Sequence, residues 1–187
     1  MKDVLNWSID PAHSKVQFSV KHMVISTVTG EFKKYDFRLN KMEDSLESAE
    51  LEFDIDPSTI DTGIGDRDNH LKSADFFDVE KYPKINFRST EITKMGEEDY
   101  KMKGDLTIKD VTKPIEFDVT FGGQITDPWG NIRAGYSVTG TLNRFDYNLT
   151  WNNLIESGGA VVGKNVKINC EIEIVKPQEV SEEVETE

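Results

Sequence analysis

Apolar and polar positions alternate with period two through most of the chain. Val16, Phe18, Val20 and His22 alternate with Gln17, Ser19 and Lys21. Ala49, Leu51, Phe53 and Ile55 alternate with Glu50, Glu52 and Asp54, and Tyr100, Met102, Gly104, Leu106 and Ile108 with Lys101, Lys103, Asp105 and Thr107. The same pattern runs through Ile115, Phe117, Val119 and Phe121, through Ala134, Tyr136, Val138, Gly140 and Leu142, and through Val166, Ile168, Cys170, Ile172 and Ile174. Sustained period two predicts strands with one wet and one buried face. The 28–40 segment alternates but changes parity between Phe32 and Tyr35, which predicts a bulge near Lys33 and Lys34. The 85–93 segment carries Ile85 and Phe87 and then loses the pattern, and a short leading strand is expected through Trp7 and Ile9. Turn signals stand at Asp10-Pro11, 96–99, Lys113-Pro114 and 127–131.

One stretch departs from the strand period. Arg67, His70, Leu71 and Ala74 fall at i, i+3, i+4 and i+7, which predicts a short helix over 66–76 with Asp66 as its N-cap. The 145–163 segment fits no period and is expected to be a long loop, a length usually either functional or disordered. Pro177 should end the last strand. Eight or nine antiparallel strands result, compatible with a sandwich or an up-and-down barrel. Strands near ten residues with a single apolar face favour an eight-stranded antiparallel barrel with one short inserted helix, able to hold a small ligand. A ten-residue strand tilted at about 40° gives a bore of roughly 25 Å, which suits a long chain better than a sugar or nucleotide.

The inward parity of a barrel can be searched for residues that do not belong there. Pore-lining candidates are Phe18, Val20, Leu51, Phe53, Met102, Gly104, Leu106, Phe117, Val119, Tyr136, Val138, Gly140, Ile168, Cys170 and Ile172. Among the small inward residues Gly30, Ala49, Gly104, Ala134 and Gly140, the absent side chains either relieve crowding at corners or leave room for a ligand. His22 and Arg144 fall on inward parity, and Arg67 and His70 on the apolar face of the helix. A buried unpaired charge costs several kcal/mol, so each needs a partner. For Arg144 that is Asp146, a carboxylate from the 66–80 segment, or an anionic or carbonyl head group whose apolar tail enters the barrel.

Composition narrows the classes. The chain has 187 residues and a 10% aromatic content, too aromatic for a wholly disordered chain and large enough to bury a core. No apolar run approaches a membrane-spanning length, so no integral membrane segment is expected. Asp and Glu outnumber Lys and Arg by 35 to 22, a net charge of -13, which argues against nucleic acid and against an anionic membrane surface. The 176–187 segment alone holds five Glu and one Lys and is expected to be a disordered acidic tail after a 1–175 barrel domain. Cys170 is the single cysteine, which rules out an internal disulfide. With no signal peptide visible the expected location is cytoplasmic, or periplasmic if a signal was removed. No cysteine pair, helical His spacing, nucleophile elbow or phosphate loop is present, so no metal, cofactor or catalytic residue is expected.

Four stretches resemble a known family: Trp7-Ser8-Ile9-Asp10-Pro11-Ala12-His13-Ser14 running into Phe18-Ser19-Val20-Lys21-His22-Met23; Asp61-Thr62-Gly63 with Arg67-Asp68 and His70-Leu71; Phe76-Phe77-Asp78-Val79-Glu80-Lys81-Tyr82-Pro83; and Gly104-Asp105-Leu106-Thr107-Ile108 leading to Val111-Thr112-Lys113-Pro114. The chain resembles the YceI-like family of bacterial lipid-binding proteins from about Trp7 to Val175. The resemblance implies a lipocalin-like barrel whose apolar pore holds a polyisoprenoid, an isoprenoid quinone or a fatty amide, and a carrier or storage role. It carries His22, Arg67, His70, Arg144, Asp146, Trp151 and Asn152 as the recurrent polar and aromatic set, the candidates for the ligand head group. The family's usual Arg-x-Asp-Phe-Gly reads Arg144-Phe145-Asp146-Tyr147-Asn148 here, and Asn tolerates the left-handed conformation that Gly supplies. Two other functions stay open: an interaction module with a filled barrel, or an enzyme on an isoprenoid lipid with His22 or His70 as general base. A homodimer is compatible with either.

Overall fold

The structure, a computed structural model, describes residues 7–42, 45–153 and 161–178. The strands are β1 (Ser8–Ile9), β2 (Lys15–His22), β3 (Ser26–Phe32), β4 (Tyr35–Lys41), β5 (Glu50–Ile55) and β6 (Ile60–Asp61), then β7 (Ile85–Lys94), β8 (Asp99–Ile108), β9 (Val111–Thr126), β10 (Ile132–Asn143) and β11 (Val162–Lys176). All pairings are antiparallel, in the order β4-β5-β7-β8-β9-β10-β11-β2-β3-β6, with β1 added beside β11. The sheet is a barrel-like wall around one apolar interior, as the alternation predicts, but the count of eight strands is corrected to eleven among the described residues.

The reason lies at the parity change. The expected single strand over 28–40 divides at Lys33 and Lys34 into β3, which pairs with β2, and β4, which pairs with β5. These halves stand near opposite ends of the hydrogen-bonded path although only two residues separate them. The seam is bridged outside the ladder. Lys33 N donates to Thr59 O, Asp56 N to Lys34 O, and the Tyr35 hydroxyl to Ser14 O at 2.9 Å. Likewise the pattern lost after Phe87 is a register shift between Ser89 and Glu91, which restores Ile92 to the interior.

The helix α1 (Gly65–Lys72) is shorter than expected, and Asp66 lies inside its first turn rather than at the N-cap, which is Ile64. Asp68 stabilises the entry instead: its carboxylate accepts from the amide and hydroxyl of Thr62. Ser73 closes the other end by donating from its backbone amide to His70 O, so Ala74 falls in the turn that follows. That turn carries Phe76 and Phe77 inward, and Phe77 meets Phe32 edge-on at 5.9 Å. The expected loop begins with a 3-10 helix, Arg144–Tyr147, capped by Asn148 at φ 58°, the left-handed conformation expected of it. The rest of that loop over 154–160, and residues 179–187 of the expected acidic tail, lie outside the described residues. Among the described residues no helix is long and apolar enough to cross a membrane.

The β2–β3 connection is a three-residue turn, Met23-Val24-Ile25, in which Met23 and Val24 have φ of 50° and 67°. A β-branched residue there opposes its own sterics by about 1–2 kcal/mol. Val24 and Ile25 are nevertheless largely exposed.

The opposite end of the barrel is held by a polar cluster that joins the expected turns at Asp10-Pro11 and 127–131. Arg133 donates to Asp127 (2.9 Å), Asp10 (2.7 Å) and Glu173 (2.6 Å), joining the N-terminal segment to β10 and β11. His13, then Arg133 and the Ala12 amide, hold the Asp10 carboxyl at about 2 against the upward push of burial. Burial likewise pushes Asp127 up, but Arg133, Asn131 and the Trp129 amide more than offset it and leave it at about 2. Both lie below the unfolded value near 3.9. Their stabilisation is therefore complete above about pH 4 and lost as pH falls toward 2. Denaturant unfolding of the protein should show stability falling over that range, and Asp127→Asn should make the slope shallower. Parallel profiles for the two proteins would refute this assignment.

Candidate functional site

The barrel encloses an apolar cavity of about 260 Å³. One end is bounded by Val20, Leu142, Val162 and Val166 and the other by Met42, Leu46 and Ile174. Arg144 is its one charged lining residue among the described residues. Of the fifteen sequence-derived lining positions, Phe18, Val20, Leu51, Phe53, Met102, Leu106, Phe117, Val119, Tyr136, Val138, Ile168, Cys170 and Ile172 face this space. Burial pushes the Cys170 thiol up to about 11, so at neutral pH it behaves as a small apolar side chain.

Gly104 and Gly140 do not line the cavity, which corrects the reading of them as open bore. Each is covered by an aromatic ring. A β-carbon on Gly140 would stand 2.5 Å from Cδ1 of Phe117, and one on Gly30 2.5 Å from Cζ of Phe18. On Gly104 it would collide with the Phe87 ring and with the Arg88 carbonyl oxygen. The glycines make room for rings that themselves face the cavity, as ring-over-glycine pairs do in curved sheets. The Phe87 and Phe117 rings then meet edge-on at 5.3 Å.

Arg144 is 3% exposed and carries no carboxylate partner among the described residues, so neither Asp146 nor a carboxylate of the 66–80 segment pairs with it. Asp146 is exposed. The guanidinium instead donates to four backbone carbonyls: Nε to Gly163 (2.8 Å), Nη1 to Leu149 (2.5 Å) and Trp151 (2.9 Å), and Nη2 to Val162 (3.0 Å). Burial pulls its pKa below the ordinary arginine value, yet an arginine stays charged. It thus closes the end of the barrel, and the local sequence explains how: the 3-10 turn brings Leu149 and Trp151 back beneath it. Four bonds use four of its five N–H groups.

The other polar candidates surround this group without facing the cavity. Asn152 mimics a strand neighbour, donating to Val162 O (2.8 Å) and accepting from Val162 N (3.0 Å). The Trp151 ring meets His70 at 4.7 Å and Phe76 at 5.5 Å. His70 Nε2 lies 2.8 Å from an Asp75 carboxylate oxygen. Arg67 folds back onto Thr62, donating to its hydroxyl (2.7 Å) and carbonyl (2.8 Å). His22 is half-buried beside Val162 in the ladder. His22, Arg67, His70, Trp151 and Asn152 therefore gather at the Arg144 end, but Arg144 alone reaches the interior.

Several lining residues escape the sequence reading. Phe37 and Leu39 lie beyond the parity change, and Leu71, Phe76, Phe77 and Leu149 sit in segments without strand period. Paired aromatics such as Phe76-Phe77 in an otherwise polar segment are the signal that was available.

The chain is 40% identical over 168 residues to a UPF0312 protein of Staphylococcus epidermidis, covering 89% of this chain and 95% of that one. A UPF0312 protein of Staphylococcus aureus is 38% identical over 169 residues, covering 90% and 96%. The crystal structure of a YceI protein of Campylobacter jejuni superposes with a TM-score of 0.73 at 32% identity, covering 84% of this chain and 90% of that one. A polyisoprenoid binding domain from Saccharophagus degradans shares the fold, with a TM-score of 0.66 at 16% identity over 92% and 99% of the two chains. The family model described as the YceI-like domain matches residues 7–174, and this chain belongs to the YceI-like family.

Proposed function

We propose that the protein binds a long apolar lipid of the isoprenoid type in the barrel and carries or stores it. The observation that carries this is the apolar cavity of about 260 Å³, too large for a packing defect and with Arg144 as the single charged lining residue among the described residues. Its extent, from Val20 at one end to Ile174 at the other, suits a chain rather than a compact ligand. The remaining N–H of Arg144 suits a carbonyl or phosphate oxygen at the end of that chain. A filled barrel is disfavoured by the cavity itself. An enzyme with His22 or His70 as base is disfavoured because neither faces the interior.

Protein purified without detergent, extracted with organic solvent and analysed by mass spectrometry should yield one apolar lipid per chain. A cargo-free protein that also takes up no isoprenoid quinone or polyprenyl phosphate when offered them would overturn the reading.

A further inference from the structure

A net charge of -13 conceals a segregation of charge over the sheet. Among the described residues, neither 15–30 nor 161–170 contains an acidic residue, and neither does 137–143. These segments belong to four neighbouring strands, β10, β11, β2 and β3. The charges they carry are Lys15, Lys21, Lys164 and Lys167, all exposed and none in an ion pair among the described residues. Elsewhere the wall pairs its charges: Lys101 lies 2.9 Å from both Glu116 and Asp118, and Arg38 bridges Asp36, Glu52 and Asp54. Among the described residues the parts of these strands nearest the β2–β3 turn thus carry only basic charge, Lys21, Lys164 and Lys167, whereas Lys15 at the far end of β2 stands opposite Glu171 in the ladder.

That face ends at the strained turn. Met23 is 41%, Val24 67% and Ile25 88% exposed, and Ile64 and Phe145 add two more exposed apolar side chains at this end of the barrel. Unfavourable backbone conformations persist where surrounding structure or function requires them. Val24 is two-thirds exposed, so burial does not account for its conformation. The turn is also tied to the cavity end, since Met23 N donates to Val161 O at 2.9 Å, next to the Val162 that receives Arg144. The exposed carboxylates at this end among the described residues include Asp66, Asp75 and Asp146, of which Asp75 is held by His70, and Asp68 is turned inward onto Thr62.

We propose that this end of the barrel docks on an anionic lipid bilayer, with Met23, Val24 and Ile25 entering the headgroup region and Lys21, Lys164 and Lys167 facing the headgroups. The expectation drawn from net charge, that an anionic membrane is repelled, is overridden because only charges within about a Debye length of the surface, roughly 8–10 Å, act on it. Apolar insertion and local cations together are what hold a protein reversibly at an interface. The inference deepens the lipid-binding reading by naming where cargo is exchanged, but its geometry does not depend on that cargo.

Full-length protein mixed with vesicles of phosphatidylcholine, with or without phosphatidylserine, and floated on a density gradient tests the proposal. The protein should float with the anionic vesicles, and added salt or neutral vesicles should reduce the bound fraction at least about fivefold. Lys21→Glu combined with Lys164→Glu should reduce it by more than about tenfold, since each lysine near the surface contributes about fivefold. Val24→Asn should also release the protein while leaving its melting temperature unchanged or raised, because Asn accepts the left-handed conformation. Equal flotation with both vesicle types, flotation with neither, or wild-type behaviour of these variants would overturn the proposal. Extraction of each protein as purified reports the cavity separately. Cargo in wild-type protein that never floats refutes docking alone, and floating protein that never holds cargo refutes the lipid-binding reading alone.

Discussion

Arg144→Ala is expected to lower the unfolding free energy by about 2–4 kcal/mol, because the substitution removes the donor of several buried acceptors but strands no charge. The variant strands the carbonyls of Gly163, Leu149, Trp151 and Val162, which now share a single guanidinium. Each buried acceptor left without a donor costs about 1–3 kcal/mol, and water entering from the barrel end recovers part of that. Arg144→Lys should recover little. A lysine offers one point of attachment where a planar fork reaches two sides of the turn at once. Chemical unfolding of the three proteins at neutral pH measures both effects. A loss below about 1 kcal/mol for Arg144→Ala would show that the carbonyls find other donors and that the residue serves the ligand first. A large loss makes it the clasp of the barrel end. In that case lipid affinity must be measured with Arg144→Lys under conditions where it is folded.

The clasp was half legible. Inward parity in β10 singled out Arg144 as a cation where hydrocarbon was expected, and the nearest carboxylate in sequence, Asp146, was the natural partner. What the sequence does not display is a cation satisfied by main-chain carbonyls, because every residue type supplies those equally. The same limit hides the seam at Lys33 and Lys34. A parity change announces a bulge, and only the pairing shows that the two halves lie near opposite ends of the path. The Arg133 cluster was illegible for a different reason: Asp10, Asp127 and Glu173 lie far apart in the chain, and each taken alone reads as surface charge or a turn residue. Strand positions and interior parity, by contrast, follow from period two directly. Thirteen of the fifteen positions chosen by parity therefore face the cavity. The charged face was visible too, as a run without acids from Lys15 to Gly30, but net charge averaged it away.

Parity identifies which way a glycine faces and not what fills the space before it, and the two misplaced positions should separate in experiment. Gly104→Ala puts a methyl against the Arg88 carbonyl, part of the β7–β8 ladder beside the register shift at Ser89, and against the Phe87 ring. Backbone in a ladder yields little, so the cost should reach the upper end of the roughly 1–3 kcal/mol seen for overpacking, a fall in melting temperature of about 6–12 °C for a chain of this size. Gly140→Ala meets mainly the Phe117 ring, a side chain free to swing on its far side into the cavity. Its stability cost should be the smaller, below about 1.5 kcal/mol. The displaced ring should instead occupy space meant for cargo. Extracted lipid per chain is therefore expected to fall in Gly140→Ala while the melting temperature changes little. Equal destabilisation of the two variants, with cargo retained in Gly140→Ala, would mean that Phe117 is locked in place by Phe87 and that this part of the wall is rigid packing rather than an adjustable lining.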